Sequence, residues 1–319
     1  METRLTKLLG IKHPILSAPM AFAAGGALAG AVSAAGGLGL IGGGYGEADW
    51  LTREFGAAGN QRIGCGFITW SLAKNAGLLE QALAHRPAAV MLSFGDPAPF
   101  ARQVIDSGAK LLCQVQDMAH ARAAIDAGAD IIAAQGGEAG GHGAARGTLT
   151  LVPEVADLLA RKAPHVVLAA AGGIADGRGL AAALLLGAEG ALIGTRFWAS
   201  REALVAPRHH AAALAADGDA TIRQTATDAA RGLAWPKQFS ARILRNEFTR
   251  RFAGREDAMQ AELAAYGPAY AAAVAAGDPD KAGVWAGEAA GMITEILPAA
   301  EIVEAIMREA AAALARWQA

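Results

Sequence analysis

One of the seven histidines of this 319-residue chain carries its clearest chemical signal. His142 closes the run Gln135-Gly136-Gly137-Glu138-Ala139-Gly140-Gly141-His142. An imidazole takes or gives a proton near neutral pH. The glycines let main-chain N–H groups approach a planar or anionic ligand closely. The bland reading is a glycine-rich surface loop with a solvated histidine. Two more glycine turns argue for function: Ala171-Gly172-Gly173-Ile174 and Gly194-Thr195-Arg196-Phe197. Each follows an apolar run, and together they set main-chain donors where a phosphate would sit. Ala18-Pro19-Met20 closes the first apolar run; taken alone it reads as core.

These residues must be positioned by the elements around them. Eight short apolar runs read as strands: 14–18, 38–42, 62–68, 89–94, 110–115, 131–135, 166–170 and 191–194. They lack polar alternation, as strands covered on both faces do. Between them, 73–85, 97–107, 117–126, 153–162 and 177–186 are apolar at helical spacing. The junctions at Gly108, Gly128 and Gly187 repeat one pattern, a glycine that ends a helix before a strand. An α/β fold follows, a (β/α)8 TIM barrel. The rival is an open doubly wound sheet, but Ser17-Ala18-Pro19-Met20 follows the first run where that fold carries GxGxxG. The glycine-rich turns sit after the sixth, seventh and eighth runs, where a barrel builds its site.

Beyond residue 200 no strand-like run is apparent. Segments 203–216, 221–227, 239–252, 257–275 and 302–317 read as Ala- and Arg-rich helices. The expected division is a barrel over 1–200, completed by a helix within about 285–319, with 201–284 as a mostly helical C-terminal cap.

Composition narrows the function classes. Hydrophobic residues make up 53% and charged residues 18%, so the chain is globular rather than disordered. A formal net charge of −2 with 6% aromatics gives no footprint for nucleic acid. The uncharged stretch 15–44 is long enough to span a bilayer, but Pro19 and repeated glycines break it at strand and helix lengths, so no membrane association is expected. No signal peptide is apparent, and the expected location is cytoplasmic. Cys65 and Cys113 lie too far apart for a CxxC motif and read as small buried hydrophobes. His209-His210 lacks a carboxylate at metal spacing and reads as a solvated pair, so no metal is expected. Asp96 reads as the cap of the following helix. Tyr45, Trp50 and Trp70 are candidate walls of a substrate pocket.

Together, Ala18-Pro19-Met20, the Gln135–His142 run, Gly172-Gly173-Ile174 and Gly194-Thr195-Arg196-Phe197 resemble the nitronate monooxygenases, formerly 2-nitropropane dioxygenases, which are FMN-dependent barrel enzymes. The resemblance covers the first two-thirds of the chain. It implies that His142 is the catalytic base toward a nitroalkane or the hydrogen-bond partner of a nitronate. It implies that Gly172, Gly173, Gly194 and Thr195 hold the FMN phosphate, with Ala171 beside them. It also implies that Ala18, Pro19, Met20 and Gly66 line the isoalloxazine, that Gln114 meets its pyrimidine edge, and that Gln135, Gly140 and Gly141 shape the ring and ribityl site. The implied activity is oxidation of nitronates or nitroalkanes with O2 to carbonyl compounds and nitrite. The same superfamily contains NAD(P)H-dependent quinone and enoyl-acyl-carrier-protein reductases, and a barrel that binds a phosphorylated ligand without redox chemistry is a third reading. The tail residues Asp228 to Gly232, Trp235-Pro236, Arg242, Arg245 and Asn246 resemble the tails of family members; on their own they read as side chains solvating the cap. The sequence does not set the oligomeric state and admits a homodimer.

Overall fold

The computed structural model describes residues 1–75 and 77–316. Eight parallel strands close into a barrel: β1 (Ile15–Ser17), β2 (Leu38–Gly42), β3 (Gly64–Ile68), β4 (Ala89–Ser93), β5 (Lys110–Val115), β6 (Ile131–Gln135), β8 (Val167–Ala171) and β9 (Ala191–Ile193), in that order around the ring. Every apolar run expected as a strand supplies one. The expected helix 73–85 is instead two helices, Thr69–Leu72 and Gly77–Ala84, and residue 76 lies outside the described residues. Residue 317 of the last expected helix, with 318 and 319, also lies outside them.

The strands alternate between two apolar layers. Leu16, Leu38, Leu40, Met91, Leu112, Ile131, Val167 and Leu192 fill the barrel, and the N-terminal helix Arg4–Leu9 closes one end with Leu5 and Leu9. Ile41, Val90, Leu111, Ile132, Leu168 and Ile193 face the surrounding helices. Cys65 and Cys113 belong to that outer layer, and burial pushes both thiols up to about 12. They pack and do not react at neutral pH. Helix Ala299–Ala315 packs against helices Gly177–Leu185 and Gly26–Ala34. Among the described residues no helix is long and apolar enough to cross a membrane.

The region after residue 200 is mostly helical, but two of the segments expected as helices contain strands. Thr221–Gln224 is strand β10 and Ser240–Leu244 is strand β11. With β7 (Gly141–Gly143) they form an antiparallel sheet in the order β10-β11-β7. Expected helix 221–227 is therefore a strand followed by the short helix Ala226–Ala230. Expected helix 239–252 is β11 followed by Glu247–Phe252, which Asn246 starts with a capping box to Thr249. Ala and Arg favour helix locally, but pairing to the glycine loop overrides that preference.

Tight approach between layers decides which glycines are obligatory. A Cβ on Gly39 would lie 2.1 Å from the carbonyl oxygen of Ala29, whereas a Cβ on Gly56, within helix Ala48–Ala57, would meet nothing within 4 Å. Gly39→Ala should therefore lower stability by about 1–3 kcal/mol through overpacking, and Gly56→Ala should raise it by about 0.4–1 kcal/mol. Calorimetric melting of both variants checks the pair: opposite shifts in Tm are expected, and equal shifts would contradict the packing described.

Candidate active site

The carboxyl ends of the barrel strands open into a cavity of about 500 Å³. His142, Ala18, Pro19, Met20, Gly66, Gln114, Gln135, Gly140, Gly141, Ala171, Gly172, Gly173, Gly194 and Thr195 all line it. The structure thus brings these fourteen residues to one cavity.

The wall begins with the bed formed by Pro19 and Met20. A Cβ on Gly66 would fall 2.3 Å from Pro19 Cγ, so only glycine lets β3 pass beneath that proline. Gln114 is held by Ser93 Oγ, which donates to its side-chain carbonyl at 3.1 Å. On β6, the Gln135 carbonyl accepts from Gln116 Nε2 at 3.0 Å, and its amide donates to the main-chain carbonyl of His142 at 3.1 Å. Gln135 therefore ties the start of the glycine loop to its end.

The loop is fixed from outside as well. Glu138 accepts from Thr148 N at 2.9 Å and from Thr148 Oγ1 at 2.8 Å, which gives helix Thr148–Lys162 an acidic cap at its positive end. The Gly137 carbonyl accepts from Arg223 Nε at 3.2 Å and from Arg242 Nε at 3.0 Å. Burial and the neighbouring Arg242 draw Arg223 down to about 10, which leaves it cationic at neutral pH. These tail arginines clamp the loop, a role the solvating reading did not anticipate.

His142 sits at the centre of β7, opposite Ala241 of β11. Its Nε2 lies 2.9 Å from Asp228 Oδ2, and its ring stacks on Trp235 at 3.4 Å with 4° between planes. Phe94 and Trp285 add rings at 6.2 and 5.6 Å. Phe94 holds a positive φ of 62° at the end of β4, and Phe22 one of 60°; both side chains face the cavity. Burial lowers the His142 pKa below its ordinary value; Asp228 works against that, and Arg231 and Arg223 add to it. The imidazole is neutral at pH 7.

Arg231 is held over the rings of Tyr45 and Trp285, at 5.0 and 5.6 Å, and reaches Tyr45 Oη at 3.4 Å. Its guanidinium borders the cavity, with Nη1 4.0 Å from Asp228 Oδ1.

The glycine turns form the far end. Gly172 and Gly173 adopt φ of 99° and 71°, and the turn Thr195–Trp198 starts beside them. Among the described residues, no main-chain carbonyl accepts from the N–H groups of Gly172, Gly173, Gly194 or Thr195 outside the regular elements. The carboxylate of Asp176 already occupies the start of helix Gly177–Leu185, accepting from Arg178 N and Gly179 N. An anion would therefore be held by the turns and not by that helix.

Other expected residues divide. Tyr45 lines the cavity, but Trp50 does not: its indole donates to the Gly42 carbonyl and its ring packs on Phe22. Trp70 stands behind, edge-on to Trp235. Asp96 accepts from Ala98 N at 2.9 Å, at the start of helix Ala98–Asp106. The pair at 209–210 is not solvated as expected: His209 faces the cavity and His210 bonds the Trp198 carbonyl, because helix Pro207–Leu214 packs that face inward. Among the described residues no group of three or more metal-binding side chains occurs. Asp228 and Trp235 were in view in the sequence only as tail residues; an acid three positions before Arg231 and a Trp before Pro236 were the faint signals available.

Comparison with known proteins agrees with this geometry. The chain matches the nitronate monooxygenase family over residues 2–60 and 68–309. It is 33% identical to a nitronate monooxygenase of Neurospora crassa, an alignment that spans 100% of this chain and 96% of that protein. FabK from Thermotoga maritima superposes with a TM-score of 0.88 at 33% identity, covering 100% of this chain and 99% of that one. A nitroalkane oxidase from Streptomyces ansochromogenes superposes with a TM-score of 0.79 at 29% identity, covering 98% and 99%. A barrel with this histidine loop, matched along nearly its whole length, belongs to the nitronate monooxygenase family.

Proposed function

We propose that this chain binds FMN and oxidises alkyl nitronates, with O2 as terminal oxidant, to carbonyl compounds and nitrite. One observation carries the reading: a buried imidazole, whose pKa burial lowers, and the Arg231 guanidinium line the same cavity as the glycine turns at 172–173 and 194–195. A cavity of about 500 Å³ lies in the range of cofactor sites, roughly 300–1,000 Å³. The N–H groups of Gly172, Gly173, Gly194 and Thr195 suit a phosphate. Pro19, Met20 and Gly66 suit a flat ring, and the Gln114 amide suits its polar edge. Bound there, FMN supplies the two-electron acceptor that no side chain of this site can provide.

The chain's own residues have separable tasks. Arg231 offers a positive charge to the anionic nitronate, in a site where surrounding rings weaken solvent screening. His142, as a neutral base, takes the α-proton when the substrate arrives as a nitroalkane. Trp235, Phe94 and Trp285 exclude water from that face. We assign residues 201–284 as the cap over a barrel of residues 1–200 that the C-terminal segment, 285–319, completes, and the cytoplasm as the place of action.

The likeness to FabK favours a second reading, an NAD(P)H-dependent reductase of an enoyl thioester or quinone. Oxygen uptake by FMN-loaded protein separates the two. Uptake with an alkyl nitronate, and nitrite as product, is expected without any nicotinamide; no uptake and no nitrite would overturn the proposal.

Three variants and the wild-type pH profile test these roles. His142→Ala should lower kcat/KM for a neutral nitroalkane by about 10²–10⁴-fold while FMN stays bound. For the wild type the acid limb of that profile should lie below about pH 6.5, the ordinary imidazole value. The same lowered value makes the unfolded chain bind more protons in that window, so stability should rise with pH there, and His142→Ala should flatten the rise. Arg231→Met should raise KM for the nitronate by about 10-fold, one charge-assisted contact of roughly 1.4 kcal/mol, and leave the neutral nitroalkane nearly unchanged. Gly172→Ala, at a φ of 99° with Gly136 O 2.9 Å from the new Cβ, should yield protein with little flavin absorbance.

A further inference from the structure

We propose that Asp228 is a positioning residue that fixes the tautomer of His142, holding the proton on Nε2 and leaving Nδ1 as the proton-accepting atom. The assignment of a catalytic use for Nδ1 rests on the function proposed above; the tautomer itself does not.

The geometry argues it in three steps. A carboxylate only accepts, so at 2.9 Å from Oδ2 the Nε2 atom must donate. The two side chains are 4% and 7% exposed, and that contact is the only direct hydrogen bond of the Asp228 carboxylate among the described residues. Its other oxygen, Oδ1, is buried without a hydrogen-bond partner among the described residues, and its nearest cation, Arg231 Nη1, is 4.0 Å away. A buried carboxylate with one partner is a poor stabiliser of a fold. Its position is explained by what it does to the ring it touches. Second, Trp235 lies parallel to that ring at 3.4 Å, so the imidazole cannot tilt away from the carboxylate. Third, Nδ1 has no protein partner among the described residues and is not among the enclosed orphan atoms, so it keeps access to the cavity.

Asp228 reaches this place from helix Ala226–Ala230, whereas His142 comes from the loop after β6. The cap therefore carries the group that sets the protonation state of the barrel's histidine. The other charged groups that bear on His142 are Arg231, at the end of the Asp228 helix, and Arg223 of β10. Both oppose protonation, and Asp228 alone favours it. Removing its charge should therefore make Nδ1 a weaker base.

Long-range proton–nitrogen correlation NMR on histidine-labelled protein tests this, with His142→Gln identifying the signal. Wild type is expected to show protonated Nε2 and bare Nδ1 at neutral pH. In Asp228→Asn the His142 titration midpoint should fall, and kcat/KM for a neutral nitroalkane should drop about 10–100-fold, as for other groups that orient a functional ligand. Its acid limb should move down with the midpoint, and turnover of preformed nitronate should fall far less. Asp228→Glu should recover part of the loss. A wild-type Nδ1–H tautomer would overturn the proposal. So would an Asp228→Asn protein whose midpoint is unmoved and whose two substrates suffer equally, the signature of a merely structural role. If wild type turns over neither nitro compound, the function proposed above fails, and the NMR tautomer and midpoint still decide the role of Asp228.

Discussion

The site depends on one constraint, the antiparallel pairing of β7 with β11 that sets His142 opposite Ala241. A loop this rich in glycine has a large conformational entropy to lose. Left alone it would present its histidine in many orientations. The pairing fixes its main chain, and the two arginine contacts to the Gly137 carbonyl fix its middle. Glu138 anchors it to helix Thr148–Lys162, and Gln135 links its two ends. Each hydrogen bond contributes about 1 kcal/mol and those to charged groups about 1.5–3. Together they offset the entropy of a segment that has little apolar surface to bury.

That arrangement also separates duties. The barrel supplies the glycine turns and the bed of Pro19 and Met20. The chain beyond residue 200 supplies charge and rings: Asp228, Arg231, Trp235 and Trp285. Histidine is the meeting point, carried by a barrel loop and held by cap side chains. Its environment keeps it neutral, because burial outweighs the carboxylate beside it. In the function proposed above, a neutral imidazole beside the Arg231 guanidinium suits a substrate that arrives as an anion or becomes one on losing a proton. Those are the two forms of a nitro compound.

The barrel was legible in the sequence because its strands are buried on both faces and read as unbroken apolar runs. Leu38 to Gly42 and Ile131 to Gln135 need no context to be recognised. The glycine turns were legible because they recur after consecutive runs. The cap strands were not. Thr221 to Gln224 and Ser240 to Leu244 are short and sit in Ala- and Arg-rich surroundings that read as helix, and their Arg223 and Arg242 bond the glycine loop. The roles of Asp228 and Trp235 were hidden for a different reason. They lie 86 and 93 positions from His142, Asp228 on the short helix Ala226–Ala230 and Trp235 in the irregular segment after it. Trp50 and Trp70 show the reverse error: their chemistry suited a pocket wall, but local packing on Phe22 and Trp235 claimed them.

The most direct measurement of the central claim is the absorption spectrum of the FMN-loaded protein under anaerobic mixing, first with NADH and then with an alkyl nitronate. The account predicts a yellow protein whose flavin band is unchanged by NADH and falls rapidly with the nitronate. A band that falls with NADH and is untouched by the nitronate would contradict it, as would a protein that never takes up FMN.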